Sequence, residues 1–325
     1  MSLEVIRSQA DYRAFCAEEA SIPLFSQAWW LDAVAGPQAW DAVLAIRGDT
    51  VIGAHPYVIR HRFGLTYLGQ PKLTQTLGPW VRASQAKYAK SLGVEKDILG
   101  ALADGLPDLA LYHQNWHCAR TNWLPFYWRG YRQTTRYTYR LELATDEKLW
   151  TSVQSNIRRE IRKAEKRFGV TVKPAKDLDE FLALNRKTFE RQRKSLPYTE
   201  RLVHRIDEAA KARDARDVLV AQAPDGTLHA GVYIVRDART AYYLMGGGDP
   251  DYRNSGAGSL CMWEAIRSQP EYIETFDFEG SMIEPVERFF RGFGARQIPY
   301  FQVTRADSRL LQAALCVREL LKGIP

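Results

Sequence analysis

The segment YLMGGGDPDYRNSGAGSLCMWEAI, residues 243–266, decides how the rest of the chain is interpreted. It begins as an aromatic strand, continues through a glycine-rich turn, and opens an amphipathic helix with the pattern Arg253-x-x-Gly256-x-Gly258. That order brings free backbone N–H groups and a helix N-terminus to one point, which attracts a pyrophosphate or another anionic group. The residues predicted to bind such a group, as a cofactor site, are Gly246, Gly247, Arg253, Gly256, Gly258 and Ser259.

Two better-known phosphate-binding motifs do not fit this segment. The Rossmann fingerprint requires a parallel βαβ unit and an acidic residue about twenty positions further on. The P-loop requires a Gly-Lys-Ser/Thr sequence, which does not follow here. The remaining alternative is an ordinary strand-to-helix connection, because glycines also serve plain tight turns.

The arginine–glycine pattern after a strand resembles the pyrophosphate loop of the GNAT acyltransferase superfamily. Three further segments resemble its FemAB-like branch, the peptidoglycan aminoacyltransferases and their relatives. They are NIRREIRKAEK (156–166), FDFEG (276–280) and RFFRGFG (288–294). The resemblance is firmest over about residues 150–305. It implies a GNAT fold and acyl transfer, and it leaves the donor open.

An internal repeat divides the sequence into two copies of one pattern. A strand–turn–strand pattern at residues 42–59 recurs at residues 218–235, and each copy leads into a further aromatic strand. We therefore predict an α/β (α+β) fold of two tandem GNAT-like units, each a mixed, mostly antiparallel sheet flanked by helices. The units are residues 1–135, whose donor site is degenerate because it lacks the arginine–glycine pattern, and residues 136–325, which end in a closing helix around 307–322.

Composition is that of an ordinary globular protein, with 46% hydrophobic and 26% charged residues among 325. The formal charge of +7 favours an anionic substrate or partner.

No apolar run is long enough for a membrane span, and the N-terminus lacks a signal layout, so a cytoplasmic location is expected. Four isolated cysteines predict no metal site. No DNA-binding motif is present, and the sequence does not indicate an oligomeric state.

A strongly basic helix is predicted over about residues 152–168, ending at Gly169 as a C-cap. Its cationic side chains leave a net charge of about +4 on four or five turns, which favours a phosphate-bearing partner. The residues predicted to bind the acceptor or an anion are Arg158, Arg159, Arg162 and Lys163. The alternative is a solvated amphipathic helix with no ligand.

Amide formation from an activated ester requires a neutral amine, and a positioned carboxylate is the usual way to remove its proton. A strand predicted over residues 273–280 turns Asp277 and Glu279 to one face, roughly 7 Å apart, as catalytic candidates. Alternatively, both carboxylates cap the next helix or pair with Arg288 and Arg291. Tyr243 is the candidate acid for a thiolate leaving group, and backbone N–H groups at residues 244–247 are candidate oxyanion donors.

Three hypotheses follow for the function. The first is an N-acyltransferase that uses acyl-CoA as donor and a small-molecule or carrier-bound amine as acceptor. The second is a FemAB-like transferase that takes its aminoacyl group from aminoacyl-tRNA, with tRNA as a partner and a cell-wall precursor as acceptor. The third is a non-catalytic module that binds an anion or a nucleotide.

Overall fold

The computed structural model describes residues 3–62, 64–280 and 282–308. The predicted closing helix, around residues 307–322, lies almost entirely beyond residue 308 and therefore outside the described residues. The chain divides into two compact units: Met1–Arg136 together with Pro299–Pro325, and Tyr137–Ile298. Residues 299–308 thus group with the first unit, whereas the sequence interpretation placed them in the second.

Among its described residues, the first unit combines four α-helices with strands of one sheet. Its helices are α1 (Gln9–Glu18), α2 (Ala28–Ala35), α3 (Tyr88–Asp104) and α4 (Leu124–Tyr127). Its strands are β1 (Glu4–Arg7), β2 (Trp40–Arg47), β3 (Thr50–Arg62), β4 (Leu65–Leu68), β5 (Trp80–Val81), β6 (Leu111–Asn115) and, from Pro299 on, β13 (Arg296–Ala306).

The second unit contains six helices among its described residues. They are α5 (Asp146–Ser152), α6 (Ser155–Phe168), α7 (Leu178–Arg191), α8 (Glu200–Lys211), α9 (Ala257–Arg267) and α10 (Glu284–Arg291). Its strands are β7 (Arg132–Glu142, from Tyr137 on), β8 (Thr171–Pro174), β9 (Arg216–Gln222), β10 (Leu228–Arg236), β11 (Thr240–Gly248) and β12 (Thr275–Asp277).

The two units repeat one strand order. In the first the order is β1-β2-β3-β4-β6-β13, and in the second it is β8-β9-β10-β11-β12-β7. Each unit has one parallel pair, β4 with β6 and β11 with β12, and its other pairs in this order are antiparallel. The predicted fold class, two GNAT-like units with mostly antiparallel sheets, is confirmed.

The predicted hairpins form as the sequence indicates. Gly48 at the tip of β2–β3 and Gly226 at the tip of β9–β10 both have positive φ, at 61° and 88°. A residue with a side chain is disfavoured in that left-handed region, which explains glycine at each tip. These turns help to fix the registers in which β2 pairs with β3 and β9 pairs with β10.

Helix α6 confirms the predicted basic helix, beginning three residues later than expected. Its core-facing residues recur at helical spacing, and Ile157, Ile161 and Ala164 are buried. Gly169 ends it in the left-handed conformation, with φ 61°, and its N–H bonds the carbonyl of Ala164. The apolar face of α6 joins α9 and the β9–β10 hairpin in the core of the second unit.

Candidate active site

Strand β11 is paired along one edge and largely unpaired along the other. It follows β10 from Ala241 to Gly248, with a register shift that leaves Leu244 as an extra residue, a β-bulge. Its pairing with β12 covers only Thr240–Tyr242 against Thr275–Asp277. Beyond Tyr242 the edge of β11 therefore presents backbone groups that β12 does not occupy.

The glycine run of β11 lies directly against α7. A Cβ added at Gly247 would stand 2.4 Å from the backbone nitrogen of Asn185, so only glycine allows this approach. Asn185 Nδ2 donates to the carbonyl of Gly246 at 2.7 Å. The Thr188 hydroxyl accepts from the N–H of Gly248 at 2.9 Å. The predicted cofactor residues Gly246 and Gly247 thus have a packing role that the sequence did not reveal.

Tyr243 lies over Gly246, where an added Cβ would be 1.8 Å from the Tyr243 hydroxyl oxygen. Burial raises the pKa of Tyr243, and the neighbouring Cys261, Tyr198 and Glu279 raise it further. A tyrosine with a raised pKa keeps its proton at neutral pH, so it can donate a hydrogen bond but cannot act as a base. Its ring meets that of Phe290 edge to face, 5.8 Å between centroids.

Strand β12 is shorter than the sequence predicted, because it ends at Asp277. Glu279 has φ 58°, an uncommon conformation for a residue with a side chain, and Gly280 follows with φ 65°. A Cβ at Gly280 would lie 2.0 Å from the carbonyl oxygen of Tyr137, so this turn is pressed against β7. The predicted strand alternation through residues 277–280 is therefore wrong, and a tight turn presents Glu279 instead.

Asp277 is only 2% exposed and both of its oxygens have partners. Its Oδ1 accepts from the Thr138 hydroxyl and, at 2.8 Å, from the backbone N–H of Glu279. Its Oδ2 lies 3.7 Å from Arg140 Nε. Burial raises the pKa of Asp277 although these partners oppose the shift. Asp277 is thus built into the turn, where it orients the residue two positions on.

Glu279 has a buried oxygen without a partner. Its Oε1 is shielded from solvent and makes no hydrogen bond with the described residues, although the residue as a whole is half-buried. Burial, and then the charge of Asp277, raise the pKa of Glu279 well above its ordinary value of 4.5. An unsatisfied buried acceptor is costly unless it serves a ligand or a proton transfer, which makes Glu279 the stronger catalytic candidate.

The two arginines considered as partners of the carboxylates form ion pairs with other residues in the part of the chain that the structure describes. Arg288 Nη2 pairs with Glu284 at 3.4 Å, and Arg291 Nε pairs with Glu287 at 2.8 Å, each one helical turn away on α10. Neither arginine therefore neutralises Asp277, whose cationic neighbour is Arg140 on β7.

The turn before α9 places Gly256 in contact with α6. Gly256 has φ 83°, and an added Cβ would be 2.1 Å from the carbonyl oxygen of Glu160. Ser255 Oγ accepts from the N–H of Ala257 at 3.2 Å, and Ser259 N–H donates to the Gly256 carbonyl at 3.0 Å. Gly256 and the buried Ser259 accordingly shape the turn from inside.

Arg253 and Gly258 lie on the open side of the same turn. Arg253 is exposed and makes no ion pair with the described residues. Gly258 is exposed as well, and an added Cβ would meet no atom within 4 Å. The turn before α9 is therefore open to solvent at Arg253 and at Gly258, while the N–H groups of Ala257 and Ser259 are already bonded within it.

The basic residues of α6 divide into two groups. Arg159 and Arg162 are exposed, and the Arg162 guanidinium lies 5.5 Å from the centre of the Trp150 ring. Arg158 and Lys163 are half-buried, and Lys163 forms an ion pair with Glu160. Because the backbone of Glu160 touches Gly256, the Lys163 ion pair lies beside the turn that precedes α9.

Three residues of this site were missed by the sequence interpretation: Asn185, Thr188 and Tyr198. They connect α7 and the following loop to the edge of β11, and Tyr198 donates its hydroxyl proton to Asn185 Oδ1 at 3.0 Å. A buried asparagine inside an amphipathic helix was the only available signal. It identifies a polar contact but not the strand edge that it serves.

No cluster of His, Cys, Asp or Glu within residues 3–62, 64–280 and 282–308 could hold a metal ion. Among the helices described, none has the length and apolar character needed to cross a bilayer.

Residues 151–290 match the family model of the acetyltransferase (GNAT) domain, which contains α6, β11, α9 and both carboxylates. The chain thus carries a GNAT domain, and the predicted resemblance to that superfamily is confirmed. No protein of curated function matches the sequence.

Solved structures share the fold over nearly the whole chain. FemX superposes with a TM-score of 0.67 at 14% identity, covering 93% of this chain and 97% of that one. A tandem GNAT protein from the clavulanic acid biosynthesis pathway gives 0.53 at 11%, covering 94% and 99%. The C-terminal domain of a putative lysylphosphatidylglycerol synthetase from Agrobacterium fabrum gives 0.54 at 12%, covering 95% and 96%. At such identities the similarity is one of fold.

Proposed function

We propose that this GNAT protein is an N-acyltransferase that transfers an acyl group from a coenzyme A thioester to an amine. The observation that carries the proposal is the buried, unpartnered Oε1 of Glu279, a residue whose charge also raises the pKa of the buried Tyr243. A base and an acid of this kind are what amine attack on a thioester requires.

The donor is held at the N-terminus of α9. The pyrophosphate of coenzyme A lies against the open turn at Gly258, with Arg253 as its cationic partner. The donor's amide-bearing arm then lies beside the β11 bulge at Leu244, between the end of the β12 pairing at Tyr242 and the Gly246 carbonyl that Asn185 binds. The open space at Gly258 and the exposure of Arg253 support this binding mode.

The chemical step uses two residues of the second unit. Glu279, as carboxylate, takes a proton from the acceptor ammonium, and the neutral amine attacks the thioester carbonyl. The C–N bond forms, the C–S bond breaks, and Tyr243 gives its proton to the leaving thiolate while it receives the surplus proton of the new amide nitrogen. Glu279 then releases its proton to solvent. A carboxylate with a raised pKa is better matched to an amine than an ordinary one, since the proton-transfer driving force increases.

The backbone amide groups near the bulge at Leu244 are the proposed oxyanion donors. Asp249 N–H donates to the His229 carbonyl, which makes 249 with 229 a hydrogen-bonded pair of the β10–β11 ladder. In an antiparallel pair, the backbone N–H and C=O groups of successive residues point alternately toward and away from the partner strand. Counted from residue 249, those of Gly246 point away from β10, in agreement with the hydrogen bond from Asn185 to the Gly246 carbonyl. The Gly246 N–H faces the same open edge, where it can meet a carbonyl oxygen.

Release of free thiol from acetyl-CoA in the presence of a panel of primary amines tests the proposal. We expect amine-dependent thiol release that Glu279→Gln abolishes, while Glu284→Gln on the exposed face of α10 retains it. Amine-dependent release that is equal in the two variants would remove Glu279 from the chemistry. A lack of any coenzyme A binding would point to the anion-binding module without catalysis.

The second candidate is an aminoacyl-tRNA-dependent transferase, favoured by the exposed cations of α6. Arg159, Arg162 and Arg167 point to solvent without an ion pair to the described residues. Filter binding of charged tRNA at several salt concentrations separates the candidates. Contacts to phosphates release counterions, so the affinity for tRNA should fall steeply as salt is added. If the double variant Arg159→Glu/Arg162→Glu shows a weaker salt dependence, the tRNA-dependent function is favoured.

A further inference from the structure

The first unit carries an apolar and aromatic surface that no part of the described chain covers. Its members, here called the α3–α4 surface, lie on the first turns of α3 and on α4 with the residue that follows it. They are Tyr88 (81% exposed), Leu92 (38%), Leu124 (49%), Tyr127 (57%) and Trp128 (59%).

The two helices bring these side chains together. Tyr88, Leu92 and Lys96 recur every four residues, so they lie along one side of α3. Lys96 Nζ stands 6.0 Å from the centre of the Trp128 ring, which joins that side of α3 to α4. Pro125, Trp128 and Lys96 line the same shallow groove. The contact between Lys96 and Trp128 thus joins the exposed side of α3 to α4.

The charges around this surface are mostly positive and unpaired. Lys87, Lys90 and Lys96 are exposed and make no ion pair with the described residues. Two acidic neighbours are already neutralised, Glu95 by Arg120 and Asp104 by Arg129. Asp97 is the acidic residue of the surface that has no such partner in the described chain. An anionic partner is therefore favoured.

We propose that the α3–α4 surface docks on an anionic lipid bilayer. Tryptophan and tyrosine prefer the headgroup level, where their rings are apolar and their N–H or O–H groups stay hydrated. Leu92 and Leu124 enter the acyl boundary between them, and the lysines extend toward lipid phosphates. Three lysines beside Asp97 do not form the continuous cationic track that a nucleic acid requires.

The docking is peripheral. Its contact consists of side chains on the outside of two helices, and no described helix could span the bilayer. It is independent of the proposed acyl transfer, because the surface belongs to the first unit and the proposed chemistry belongs to the second.

Sedimentation of the full chain with sucrose-loaded vesicles tests the proposal. Vesicles of phosphatidylcholine alone are compared with vesicles that also contain phosphatidylglycerol. We expect binding to the anionic vesicles only, weakened at least about tenfold by Tyr127→Ala/Trp128→Ala because apolar area is lost. Tyr272→Ala is the matched control, since Tyr272 is 53% exposed in the second unit, and it should bind as the wild type does.

Charge provides a second variant that keeps every apolar contact. Lys87→Glu/Lys90→Glu should weaken binding to the anionic vesicles, and added salt should weaken wild-type binding in the same way. Absence of wild-type binding to anionic vesicles would overturn the proposal. So would equal binding by Tyr127→Ala/Trp128→Ala and the Tyr272→Ala control. Light scattering that shows a dimer lost in the aromatic variant would overturn it in favour of a second copy of the chain.

Discussion

The backbone N–H of Glu279 donates a 2.8 Å hydrogen bond to Oδ1 of Asp277, so one carboxylate holds the turn that presents the other. The first is fully engaged by Thr138, Arg140 and this N–H, while the second keeps a buried oxygen without a partner. Two acidic residues two positions apart thus have different environments, which fits the positioning role proposed for Asp277 and the catalytic role proposed for Glu279.

Glu279→Gln should lower kcat by roughly 10²–10⁴ with little change in KM, because it removes the proposed proton acceptor and keeps the size of the side chain. Steady-state kinetics with an acyl-CoA and a reactive amine measure this. Glu284→Gln, on an exposed carboxylate with 82% side-chain exposure, is the control and should be within twofold or so of wild type. Loss of activity in both would indicate a general effect of charge.

Asp277→Asn should move the acidic limb of the rate–pH profile to lower pH. The charge of Asp277 contributes to the raised pKa of Glu279, so its removal lowers that pKa and leaves Glu279 ionised in more acidic solution. The amide oxygen of asparagine can still accept from Thr138 and from the N–H of Glu279. An unchanged limb would mean that a group other than Glu279 is titrating in the profile.

Stability should depend on pH through Glu279 in a defined direction. Its folded pKa is raised above 4.5, so its contribution is fully present below that pH and is lost as the pH rises through the raised folded pKa. Urea unfolding of wild type and Glu279→Gln should therefore differ little near pH 4 and increasingly toward pH 8, with the variant the more stable. A constant difference across this range contradicts the burial of an unpaired carboxylate.

Gly256→Ala and Gly258→Ala form a matched pair in one turn. At Gly256 the left-handed φ and the Glu160 carbonyl at 2.1 Å predict a loss of about 2 kcal/mol or more in the free energy of unfolding. At Gly258 no atom lies within 4 Å, so the fold should be unaffected while coenzyme A binding weakens. Chemical unfolding and calorimetry measure the two effects; equal stability of the two variants would contradict the packing of α6 on this turn.

The sequence predicted the elements of local origin. The repeated hairpins, the basic helix and its glycine cap follow from periodicity and turn chemistry, and the structure contains them. The two units share one strand order because the two copies of the repeated sequence pattern fold alike. The close packing of Gly246, Gly247 and Gly256 on α7 and α6 was not predicted, because it depends on residues 60 or more positions away in the chain.

The turn at Glu279 could not be foreseen for a different reason. A strand is predicted wherever polar and apolar residues alternate, and residues 276–279 follow that pattern. The positive φ of Glu279 depends on Asp277, Thr138 and the contact of Gly280 with β7, all set by tertiary structure. The same holds for Asn185, whose partner Gly246 belongs to a strand edge that sequence does not display.

Isothermal titration with coenzyme A tests the central claim most directly, namely that the open turn before α9 binds the donor's pyrophosphate. Wild type should bind, and Arg253→Glu should bind about tenfold or more weakly. Arg201→Glu, the same charge change at an exposed position of α8, should bind as wild type does. The account is contradicted if wild type shows no binding at millimolar coenzyme A, or if the two variants bind with the same affinity.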